Sequence, residues 1–193
     1  MGRLSLCLLI VFVALVQPAL AHPGHGGHGF ADGWQHPFQG LDHLLAIVAV
    51  GLLAVRIGGA AIWVMPAMFM GGMVLGGCAA ALGMPLPGVE WAIMASVLGL
   101  GLLIAITKVV PLSAGAALVA LFAVFHGHAH ATEMAAGSTL AAYSAGFLLA
   151  TALLHISGVL GGLALAKGFT RDALRITGGF IAAAGALMIC GVL

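Results

Sequence analysis

QGLDHLLAIVAVGLLAVR, residues 39–56, decides the fold. From Leu44 to Val55 it holds no charged or strongly polar side chain; Asp42 and His43 stand before that run and Arg56 closes it. Such a run approaches the ~20 residues that a helix needs to cross a bilayer. Lipid offers no hydrogen-bond partners, so only a form that satisfies its own backbone fits there. Similar runs recur at 60–82, 89–107, 110–126, 139–165 and 174–193. The expected fold is therefore all-α, a polytopic transmembrane helix bundle of six spans. Composition agrees. The chain has 193 residues, 63% hydrophobic and 6% charged, against about half and about 25% in soluble domains. Six Lys and Arg with five Asp and Glu cannot cover a soluble surface. This excludes a cytosolic enzyme, a disordered chain and a nucleic-acid binder, which needs a basic face. The partner implied is a lipid bilayer. The Gly72/Gly76 and Gly158/Gly162 spacings predict close helix packing; self-association is left open. Cys7, Cys78 and Cys190 form no CxxC pair and read as packing thiols.

Upstream, residues 1–21 read as a signal peptide. Arg3 is the basic start, Leu4 to Val16 the apolar core, and Ala19-Leu20-Ala21 the small-x-small cleavage site. Cleavage would leave His22 first and place 22–38, a His-rich segment, outside the cytoplasm, in a bacterial periplasm. The transmembrane domain is then 39–193. With the N-terminus outside, six spans put Arg56, Lys108, Lys167, Arg171 and Arg175 on the cytoplasmic side. The external connections 22–38, 83–88 and 127–138 contain no Lys or Arg, as the positive-inside rule requires. Both mature termini are expected in the periplasm of an inner-membrane protein.

Nine histidines beside five carboxylates are unusual in so apolar a chain. His22, His25 and His28 lie in a Gly-rich tail that suits a mobile cation trap, or a solvated tail without a task. His36, Asp42 and His43 form an HxxxxxDH pattern at the mouth of the first span. In an unbroken helix His36 and His43 share a face ~10 Å apart, too far to hold one ion; they are successive stations, or the chain bends near Gly40. An acid at this depth is costly and usually functional. His126, His130 and Glu133 follow at helical spacing after the fourth span, where i,i+4 imidazoles can chelate a metal. His128 points away by about 200°. His155 lies inside the fifth span, either as a deeper station on a cation or proton path or as a packing residue bonded to a helix carbonyl or Ser157. Glu90 beside Trp91 reads as a helix-end acid at the membrane interface. Imidazole with carboxylate suits nickel, cobalt, copper and zinc, so the partner expected is a divalent metal ion.

Two motifs together carry a resemblance: His36…Asp42-His43, and Phe125-His126-Gly127-His128-Ala129-His130…Glu133. They resemble the HupE/UreJ family of nickel permeases, and the similarity extends over the whole chain. Ala131 stands where the family pattern carries Gly. The resemblance implies secondary transport of nickel(II), with cobalt(II) as second candidate, for hydrogenase or urease maturation. It carries over His36, Asp42, His43, His126, His130 and Glu133 as metal residues, and gives less weight to His128. Ni²⁺ is then cargo, and no prosthetic group and no enzyme activity are expected. The chain lacks a GxxxxGK[ST] phosphate loop. The competing reading is an intramembrane zinc-dependent hydrolase with His and Asp ligands, which needs an open coordination position and an acyl-sized pocket.

Overall fold

The computed structural model describes residues 29–106, 110–134, 138–168 and 172–193. The signal peptide assigned to 1–21 and the tail residues His22, His25 and His28 lie outside the described residues, as do Lys108 and Arg171. Among the described residues every regular element is helical. The order is α1 (Phe30–Gln35), a 3-10 turn (His36–Phe38), α2 (Leu41–Ile57), α3 (Ala61–Ala81), α4 (Val89–Ala105), α5 (Leu112–Thr132), α6 (Leu140–Gly168) and α7 (Ala173–Ile189). α3, α5 and α6 are each long and apolar enough to cross a membrane, and α1 with α2 makes a fourth candidate if that bent pair is one span. α4 and α7 have 17 residues each, ~25 Å of helix at 1.5 Å per residue, and fall short of that length. The protein is thus a multi-pass helical membrane protein; among the described residues three helices, or four with the bent pair, have the full length and hydropathy of a span. α5 continues past the apolar run that ends near 126 as far as Thr132. Its last turns carry histidines, which interrupt an apolar pattern without interrupting a helix.

α2 is the central helix. It is buried from His43 through Ala54 with few gaps, as befits a helix apolar on all sides. α6 packs along it, α3 pairs with α5, and α4 pairs with α7. The α3–α5 seam needs glycine: a Cβ on Gly76 would overlap the Val124 carbonyl, and one on Gly127 the Met73 carbonyl. Gly72 meets Ala120, while Gly158 and Gly162 meet Val48 and Val55 of α2, so both small-residue pairs sit at helix crossings. Cys78 and Cys190 are exposed and unpaired; they face outward instead of packing inside.

The two ends of the bundle differ chemically. At one end Arg56 Nη2 donates to Ile106 O at 2.9 Å and Arg175 Nε to Ala105 O at 3.2 Å. Two cations thus meet the carbonyls at the end of α4, where the helix dipole favours them. Arg175 also donates to Asp172 at 2.6 Å. At the opposite end lie His36, His43, His128, His130 and Glu133. Residues 30–38, the end of the segment assigned to the periplasm, are helical and packed on α6. A Cβ on Gly33 would strike the Tyr143 carbonyl, and one on Gly146 the Phe30 carbonyl, so the two backbones touch.

Candidate metal centre

A sharp elbow builds the site. The segment Phe30–Phe38 meets α2 at 82°. Gly40 is extended there, at φ −110° and ψ 126°, with Pro37 in the preceding 3-10 turn. The bend resolves the sequence alternative. Instead of standing ~10 Å apart along one axis, the His36 and His43 rings lie 6.4 Å apart, edge to face. Gly40 is needed at this corner for space, not for φ. A Cβ there would lie 2.7 Å from Asp42 Oδ1 and 2.9 Å from His43 Nδ1.

α5 supplies the second half. His126 and His130 project one turn apart toward α2 and the elbow. The His130 ring lies 4.4 Å from that of His43 and 4.6 Å from that of His36, and the His43 and His126 rings are 5.1 Å apart. Two groups result, His43–His126–His130 and His36–His130–Glu133, each with its candidate ligand atoms within 4.8 Å of one another. Ligands ~2.1 Å from one ion stand roughly 3.4–4.2 Å apart, so either group closes on a dication with sub-ångström motion. The first is buried; the second reaches the surface through Glu133, whose side chain is 46% exposed.

Hydrogen bonds preset the imidazoles. His43 Nδ1 lies 2.8 Å from Asp42 Oδ1, which also accepts from the His43 backbone N–H. A carboxylate only accepts, so the ring proton sits on Nδ1 and the buried, unpartnered Nε2 carries the lone pair. Ser96 does the same for His126. Its hydroxyl donates to Ile93 O at 2.6 Å, and its oxygen accepts from His126 Nε2–H at 3.0 Å. That leaves Nδ1 of His126 as the free lone pair, also unpartnered. Such outer partners orient metal ligands and raise their basicity. Both nitrogens of His130 are buried and unpartnered, an arrangement that calls for a ligand. Beyond the end of α5, Glu133 accepts from His36 Nε2 at 3.0 Å. This bond holds its carboxyl below the usual carboxylate range, and partial burial opposes it more weakly.

Asp42 therefore stands behind His43 and lies in neither group. His128 turns away as its helical phase predicts, and its Nε2 donates to Met84 O at 2.9 Å. His155 is 1% exposed and bonds neither Ser157, whose hydroxyl goes to Leu154 O, nor a helix carbonyl. Glu90 is exposed in the first turn of α4 beside Trp91. Ala131 causes no conflict, because a Cβ on the facing Gly77 would still be 4.0 Å from its methyl. Sequence reading missed Ser96 and the aromatic wall of Tyr143 and Phe147. The Phe147 ring is 4.0 Å from that of His130. A cleft of about 280 Å³ lined by Met73, Gly77, Tyr143 and Phe147 opens beside His130.

A family model described as HupE / UreJ protein matches residues 10–188. Protein HupE from Rhizobium leguminosarum bv. viciae is 42% identical over 181 residues, covering 92% of this chain and 94% of that protein. No solved structure matches the chain.

Proposed function

The chain belongs to the HupE/UreJ family, and from that premise we propose that it is a permease for nickel(II), with cobalt(II) as the second cargo. It works in the bacterial inner membrane and serves hydrogenase or urease maturation. All six helices from α2 to α7 span, the two shorter ones in locally thinned bilayer. The arginine-bearing end faces the cytoplasm under the positive-inside rule, and both mature termini lie in the periplasm after signal cleavage.

One observation carries this reading: the two ligand groups share His130 and run from exposed to buried. A dication meets the His36–Glu133 pair first, where the carboxylate offsets its charge and imidazole replaces water. It then moves to His43, His126 and His130 without leaving imidazole contact, while Asp42 behind His43 compensates the buried charge. Both sets are open and exchangeable, unlike a closed structural zinc site. Inward movement follows the membrane potential, worth ~2.3 kcal/mol per charge per 100 mV.

Radioactive nickel accumulation in cells expressing wild type, His43→Ala and His130→Ala tests the proposal. Both variants should insert normally and lose uptake. Normal uptake in both would refute the pathway, and lipid turnover by the purified protein would favour the hydrolase.

A further inference from the structure

Tyr143, Phe147, Thr151 and His155 recur every four residues on α6 and so line one face of it. This stripe starts at the candidate metal centre and descends into the bundle. Its polar atoms are unusual. Tyr143 Oη, Thr151 Oγ1 and both ring nitrogens of His155 are buried and have no hydrogen-bond partner among the described residues. Four other helical hydroxyls behave differently. Ser96, Thr132, Ser157 and Thr177 each donate to a carbonyl of their own helix. Thr151 forgoes that bond although it is fully buried. Native interiors rarely leave such groups unmet, and each one asks for an explanation.

Phe69 of α3 links the two levels. Its ring centroid lies 5.4 Å from that of His126 and 5.2 Å from that of His155. One aromatic ring therefore touches the innermost imidazole of the mouth and the imidazole below it. At the level of His155 the bundle is tight. A Cβ on Gly51 would come 2.5 Å from the His155 carbonyl oxygen and 2.7 Å from Val159 N, so α2 and α6 close together at that level.

We propose that His155, with the Thr151 hydroxyl, is a second, intramembrane station for the divalent cation, reached from the mouth past the ring of Phe69; this rests on the permease reading above. A packing role does not account for the residue, since an apolar side chain would fill the space without two orphaned nitrogens. A borderline dication accepts imidazole nitrogen readily and a hydroxyl oxygen as an additional donor. No group of three metal-capable side chains includes His155 among the described residues. The station is therefore weaker than the mouth, as a site that must pass its ion onward requires.

The test compares His155→Leu, His155→Cys and Thr151→Val with wild type and His43→Ala. Nickel uptake is followed in proteoliposomes, and nickel binding to the purified full chain by equilibrium titration. His155→Leu should keep mouth binding and KM within about twofold while kcat falls about tenfold or more; Thr151→Val should lower kcat about threefold. His155→Cys should regain transport and shift preference from Ni²⁺ toward thiophilic Cd²⁺, a change that packing cannot produce. Wild-type kcat in His155→Leu overturns the station. So does loss of mouth binding in that variant, which marks a structural role, or an unchanged metal preference in His155→Cys. If wild type itself accumulates no nickel, the permease reading fails. If wild type transports, His43→Ala does not and His155→Leu is normal, only the station fails.

Discussion

Replacing Ser96 by alanine removes one oxygen from a fully buried position and leaves the backbone of α4 intact. That oxygen accepts from His126 Nε2–H at 3.0 Å while the hydroxyl proton goes to Ile93 O at 2.6 Å. Without it a buried imidazole N–H has no partner, which costs about 1–3 kcal/mol. The ring also loses the contact that keeps its proton off Nδ1, the unpartnered nitrogen. The energetic penalty falls on the stability of the fold; the affinity loss comes from the freed ring, and removing an outer partner of a metal-bound histidine costs about ten- to hundredfold in nickel affinity. Isothermal titration of the purified protein with nickel at neutral pH reads the affinity, and KM for uptake should rise in parallel. A double-mutant cycle isolates the cause. In a His126→Ala background, Ser96→Ala should change almost nothing, because the two act as one unit. Wild-type affinity in Ser96→Ala, or an effect that adds fully to His126→Ala, would refute the reasoning.

Gly40→Ala keeps an allowed backbone, since φ is negative, but its methyl presses on the Asp42 carboxylate and the His43 ring. Nickel KM should rise about tenfold at unchanged protein level in membranes, and an unchanged KM would show that the corner tolerates a side chain. The depressed Glu133 pKa means that its bond with His36 contributes fully at neutral pH and is lost only as pH falls through a value below the ordinary ~4.3. Glu133→Gln should therefore lower uptake by the same factor at neutral and mildly acidic pH. A factor that shrinks toward one on mild acidification would show the carboxyl already protonated. His128→Leu removes the bond to Met84 O and should cost about 1 kcal/mol of stability in a thermal-shift assay, with nickel KM unchanged; a raised KM would make His128 a ligand.

Helix positions were legible because each apolar run is local. The Asp42–His43 and His126–His130 pairs were legible because their partners lie within one helical turn. What joins those pairs was not. The sequence spacing of His36 and His43 fits a straight helix as well as a bent one, and the choice depends on a corner where Gly40 meets two folded-back side chains. Ser96 sits in VEWAIMASVLGLG, where a small polar residue looks like ordinary helix packing; its role exists only because α4 passes His126. His155 stood out by chemistry, but Phe69, which connects it to His126, reads as one more aromatic in an apolar span. α5 outruns its apolar run because imidazoles interrupt hydropathy without interrupting helicity.

The three imidazoles of the buried group are not equally anchored. Asp42 tethers His43 and Ser96 tethers His126, whereas His130 is gripped only by neighbouring rings, at 4.0 Å from Phe147, 4.4 Å from His43 and 4.6 Å from His36. A ring held by faces alone can swivel about its Cβ–Cγ bond without breaking a hydrogen bond. Two of the three ligands are thus tied by hydrogen bonds and the shared one is not, so under the proposed permease function His130 is the ring that can re-aim between the two groups at no cost in hydrogen bonds.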